Sequence, residues 1–145
     1  MILKLKRSEK AKSVPLLKER EAAKLTVVNV TEKVRSSFLT PITGQGLTYK
    51  EKEEQAIAFL QAETEPKEAG PAYGFVFGEV GITAETPYQV AMVILYKADF
   101  YRAQIGPAIE RLRLLANVNI EQAVSIEEVK TAVEEFTEDM ELLAT

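Results

Sequence analysis

The chain has 145 residues, the size of one ordinary domain, and 46% of them are apolar, enough to build a core and to argue against global disorder. It contains neither cysteine nor histidine, which excludes disulfides, Cys-His and Ser-His-Asp catalysis, haem ligation through these residues and the common zinc sites. The net charge of −4 is unevenly spread: residues 1–24 hold eight Lys or Arg against three Glu, net +5, and the remainder ten against nineteen acids, net −9.

Residues 1–16 read as a basic, flexible arm or linker. Lys4, Lys6, Arg7, Lys10 and Lys12 follow or interrupt Ile2, Leu3 and Leu5, and the apolar part is too short and too charged for a secretory signal. Pro15 sets the boundary, because proline disfavours a helix running through it unless it opens a new first turn. Residues 17–145 then form the domain. From Leu17 to Phe38, the residues Val27, Val30, Val34 and Phe38 recur on one helical face, although Thr26, Val27, Val28, Val30 and Thr31 also suit a strand. Pro41, Gly44 and Gly46 mark a turn. Thr48 and Glu51 fit a capping box that opens a helix over 49–62, with Ala56, Phe59 and Leu60 near its buried side and the preceding helix as its mate.

Between Glu63 and Thr86, a series of prolines and glycines breaks the helical pattern. Tyr73, Phe75 and Phe77 alternate there, as in a short strand or an aromatic loop covering the core. Thr86, Pro87 and Gln89 then write a helix start, with Thr86 as cap, proline in the first position and glutamine in the third. Its seam is Val90, Ile94, Ala98, Tyr101 and Ile105. Gly106-Pro107 predicts a bend or a break, beyond which Ile109, Leu112, Leu115 or Ala116, and Ile120 resume the spacing. Ser125 and Glu128 form a third capping box, with Val124 placed to staple against Val129. Ile126, Val129, Val133, Phe136, Met140 and Leu143 make a narrow seam suited to helix pairing. The resulting fold class is all-α: a compact helical bundle with a short strand or aromatic loop and a flexible N-terminal arm. No apolar run approaches the roughly 20 residues that cross a bilayer.

No motif points to catalysis, a cofactor or a metal. Gly44-Gln45-Gly46-Leu47-Thr48 lacks the spacing and the Lys-Ser/Thr ending of a phosphate loop, so it reads as a structural turn. The glutamates between Glu127 and Asp139 fall on a solvated helix face and lack a calcium-loop pattern. Tyr96, Phe100 and Tyr101 are the densest aromatic group, read first as core packing and second as an interface anchor. Lys4, Lys6 and Arg7 lead the run that would contact phosphates if the chain binds nucleic acid.

Val34-Arg35-Ser36-Ser37-Phe38-Leu39-Thr40, the stretches Gly44–Lys52 and Glu54–Leu60, and the later Ala108–Arg113 and Ile120–Ala123 occur in an order that resembles a small helical domain of bacteriophage-encoded, tail-associated proteins. The resemblance spans residues 20–144. It implies a virion component or assembly part without catalytic duty, located in the virion or in the host cytoplasm during assembly. On it, Arg35, Gln45, Tyr49 and Lys52 match an arginine-turn-glutamine-tyrosine-lysine pattern that steadies the first turn and helix. Phe100-Tyr101 stands where that family more often has tryptophan, and the basic arm is not part of the pattern. The function expected from the sequence is therefore a non-enzymatic structural or protein-interaction module of a phage tail or virion. Its partners are another phage structural protein or further copies of itself. The alternative is a nucleic-acid-associated phage accessory protein that uses its basic arm.

Overall fold

The computed structural model describes residues 2–40 and 43–145, with the side chains of residues 2–12 outside that description. The fold is all-α, with helices α1 (Ile2–Phe38), α2 (Gln45–Gln61), α3 (Gly74–Gly78), α4 (Pro87–Phe100), α5 (Gly106–Gln122) and α6 (Ile126–Ala144). A π-helical turn, Tyr101–Ile105, joins α4 to α5. Among the described residues there is no strand; the single β-bridge pairs Val80 with Ala84. None of the described helices is long and apolar enough to cross a membrane.

The backbone is helical from Ile2, where the sequence places an arm, and the helix runs through Pro15. Pro15 is exposed, so its ring is turned to solvent and not into the packed side of the helix. The chain also divides into two compact units, Met1–Leu39 with Ile105–Thr145, and Thr40–Gln104, where the sequence reads one domain over 17–145.

In the first unit α1, α5 and α6 pack pairwise. The face that α1 buries is Ala23, Val27, Thr31 and Val34, one residue away from the expected Val30. From α5 come Ile109, Ala116 and Ile120, and from α6 Val129, Ala132, Phe136 and Met140. Successive members lie three or four residues apart, or two turns apart between Ile109 and Ala116, the spacings that keep side chains on one helical face. Arg20 on α1 donates through Nη2 to the carbonyl of Ala123 at 2.5 Å, satisfying one of the carbonyls that α5 leaves open at its C-terminus. Lys24 pairs with Glu121 between the same two helices.

Ser125 opens α6 as expected. Its Oγ accepts from the Glu128 amide at 3.1 Å, and the Glu128 carboxylate accepts from the Val124 amide at 2.7 Å. The expected staple does not form, because Val124 is 76% exposed. Its amide is held by Glu128, which turns the side chain outward.

In the second unit α2 finds its partners in α4 and α3. Ala56 and Ala91 are both fully buried. Small side chains let α2 and α4 approach closely, and Phe59, Val76, Val90 and Ile94 complete the core. The stretch read as a strand or loop is the short helix α3. Tyr73 and Phe77, one helical turn apart, both meet Phe59 edge-on, with ring centroids at 5.7 and 6.0 Å. Such pairs are worth about 1 kcal/mol beyond their burial. Gln55 on α2 accepts from the Phe75 amide at 2.8 Å and so satisfies a donor in the first turn of α3.

Two starts differ in outcome. Thr86 caps α4, its hydroxyl accepting from the Gln89 amide at 3.2 Å. Thr48 caps nothing: α2 begins a turn earlier, at Gln45, after Gly44 in the left-handed region at φ 86°. Thr48 therefore lies inside the helix, its hydroxyl turned back to the Gly44 carbonyl.

Pro107 is accommodated without a break, since the chain is helical from Pro87 to Gln122. The π-turn widens the backbone immediately before Gly106-Pro107, where a proline ring would crowd a regular turn. The boundary between the two units falls inside this turn.

Candidate interaction surface on the fourth helix

The buried side of α4 is set by Val90, Ala91 and Ile94. Residues 88, 92, 96 and 100 lie one helical turn apart in a row turned away from that side. All four are large and open to solvent: Tyr88 at 52%, Met92 at 47%, Tyr96 at 71% and Phe100 at 46%. Within the row, the Tyr96 and Phe100 rings stack at 6.3 Å with planes 13° apart. Exposed apolar residues scattered singly need no explanation, whereas a contiguous row of three aromatics and a methionine has the composition of a recognition surface.

This corrects the packing role expected for Tyr96 and Phe100. Tyr101, the third member of that group, is half-buried in the π-turn. Tyr88 and Met92 are the members that the sequence reading missed, and the signal was present: the four positions recur at a spacing of four. What periodicity does not reveal is which apolar face a helix turns inward. Here the smaller Ala91 and the branched Val90 and Ile94 take the core, beside Ala56 and Phe59 of α2.

The charged groups around the row belong to the same unit. Arg102 pairs with Glu53 of α2 and, at 3.1 Å, with Asp99. These two carboxylates hold the Arg102 guanidinium above its ordinary pKa, first through the hydrogen bond that Arg102 donates to Glu53. Lys52 reaches Glu79 at 2.8 Å, and Thr83 donates to the other oxygen of Glu79 at 2.6 Å. Burial opposes ionisation of Glu79, but the Lys52 and Thr83 hydrogen bonds, with the charges of Lys52 and Lys97, hold it below the usual carboxylate range.

Of the four residues matched to the arginine-turn-glutamine-tyrosine-lysine pattern, three converge. The Tyr49 hydroxyl accepts from the Thr40 amide at 2.9 Å. Burial raises the Tyr49 phenol, yet the Thr40 bonds, a bond with Gln45 and the charge of Lys52 together bring it below the ordinary tyrosine value. Gln45 and Tyr49 thus meet on the first turns of α2, with the charge of Lys52 close by and its ammonium held by Glu79. Arg35 instead pairs with Glu32 on its own helix at 2.5 Å.

The side chains of Lys4, Lys6, Arg7, Lys10 and Lys12 lie outside the described residues. Glu127, Glu128, Glu134, Glu135, Glu138 and Asp139 are all exposed along α6. Among the described residues no group of three acidic side chains is gathered closely enough to hold a metal ion. In comparisons with known proteins, no family model, no curated protein and no solved structure matches this chain.

Proposed function

We propose that this chain is a non-catalytic protein-interaction module that docks partners through the exposed row on α4, as a structural part of a phage tail or virion assembly. The observation that carries the docking reading is the unbroken row Tyr88, Met92, Tyr96 and Phe100 on a helix whose opposite side is fully packed. Solvent-exposed aromatics cost solubility, and their clustering at helical spacing fits an amphipathic helix of a partner protein, read by anchors one turn apart. The assembly setting is supported by the order of motifs from Val34 to Ala123 that resembles tail-associated domains. The lack of cysteine and histidine, which removes the commonest nucleophile and base pairs, supports a non-enzymatic role.

The test is affinity capture from a lysate of assembling phage, with the intact chain and a Tyr96→Glu variant side by side. Recovery of a tail or other virion structural protein by the first and not the second is the expected result. Recovery of nucleic acid instead, lost on raising salt and dependent on residues 4–24, decides for a nucleic-acid accessory role.

A further inference from the structure

We propose that the partner seated on the α4 row is a second copy of this chain, docked antiparallel so that Tyr88 and Met92 of one copy meet Tyr96 and Phe100 of the other. The proposal rests on the docking reading above and names its occupant. Its first support is shape. The row has large side chains at regular intervals along its whole length, so its N-terminal half offers the same kind of surface as its C-terminal half. An interface related by a twofold axis requires such self-complementarity, and twofold dimers are the commonest closed assemblies.

The second support is charge. Asp99 is exposed beside the C-terminal end of the row, and a carboxylate engaged by Arg102 keeps further acceptor positions free. At the other end lie Gln89, an exposed amide donor, and the first turn of α4 with its partial positive charge. Antiparallel docking brings Asp99 of each copy to the Gln89 end of the other. It also keeps the two Asp99 carboxylates well apart, since ten residues of helix span about 15 Å. Parallel docking would set each Asp99–Arg102 pair against its own copy and leave Asp99 no Gln89 to meet, so the antiparallel arrangement is the complementary one.

Area sets the strength of the contact. With each large side chain about half open, the row supplies on the order of 400 Å² per copy, where a stable interface needs about 800 Å². Gln89, Val93 and Asp99 border the row and add to it. The dimer therefore belongs to the weak, concentration-dependent class.

Sedimentation of the intact chain from about 10 μM to 1 mM tests the proposal. Reversible dimerisation is expected, weakened at least tenfold by Tyr96→Glu. Leu142→Glu on α6, equally exposed at 74%, is expected to leave it unchanged, and circular dichroism checks that each variant remains folded. Orientation follows from cross-linking, which is clean because the chain has no cysteine of its own. Gln89→Cys and Ala103→Cys proteins treated with a short bismaleimide should give linked dimers when mixed and few when alone. A chain that stays monomeric at 1 mM, a dimer indifferent to Tyr96→Glu, or linkage of Gln89→Cys to itself each overturns the proposal. A monomer that still captures a virion protein through Tyr96 overturns only the identity of the partner and leaves the docking reading standing. Loss of both results removes both.

Discussion

Thr31 is 2% exposed on the buried face of α1, and its hydroxyl has no hydrogen-bond partner among the described residues, not even the carbonyl one turn back that helical threonines commonly use. A buried hydroxyl without a partner costs about 1–3 kcal/mol of desolvation. Thr31→Val keeps the branched shape and replaces the hydroxyl by a methyl group. It is expected to stabilise the protein by about 1 kcal/mol, read as a higher denaturant midpoint with an unchanged slope. Glu79 is the opposite case, a partly buried acid whose oxygens are both engaged by protein donors. Its pKa is lowered in the folded chain, so the unfolded state takes up a proton first as the solution is acidified. The resulting stability is fully present above the ordinary value of 4.5 and is lost as pH falls through the lowered folded value. Glu79→Gln should therefore cost about 1 kcal/mol near neutrality. The difference between variant and parent should shrink in urea melts near pH 3; a gap that stays constant would mean that shape, not charge, matters at this position.

At the scale of elements, three capping boxes are written in the sequence and the N-cap bonds of two of them are formed. Ser125 and Thr86 each accept an amide three residues on, so Ser125→Ala and Thr86→Ala should each lower stability by about 1 kcal/mol in chemical denaturation. Thr48→Ala should change it by less than about 0.5 kcal/mol, since Thr48 lies inside α2 and alanine is the better helix former. Caps at Ser125 and Thr86 are legible because a box needs only residues three apart and an extended residue before the helix. Thr48 misleads because the preceding Gly44 takes positive φ and starts the helix earlier, a backbone choice that residue types leave open. The same limit applies to Tyr73 and Phe77. Four residues apart, they satisfy both an alternating strand and one helical turn, and the decision comes from Phe59, which meets both rings. The row on α4 was fully legible as a spacing and not as a surface. Its exposure depends on Ala56 and Ala91 bringing two distant segments of chain together, which no local window contains.

The two units share a chain but have separate cores, and the second is an insertion: the chain leaves the first unit after Leu39 and returns to it at Ile105. This arrangement was hidden from the sequence, because the helical pattern continues from Val90 through Ile105 to Ile120 without a gap. The π-turn that carries the helix past Pro107 coincides with the change of core. An insertion of this kind can unfold while its host remains folded, provided that the host tolerates a long loop between Leu39 and Ile105. Each doubling of loop length adds only about 0.6 kcal/mol to closure, so the α1, α5 and α6 core, with Val27, Ile109, Ile120, Val129 and Met140 almost wholly buried, should survive. Phe59→Ala provides the test, since it empties the centre of the second core and removes both edge-on ring contacts, a loss of about 3–5 kcal/mol. Hydrogen exchange should then show faster exchange in α2 and α4 and unchanged protection in the middle of α6. Equal loss of protection in all three helices would instead make the whole chain one cooperative body, with the α4 row presented only when both cores are intact.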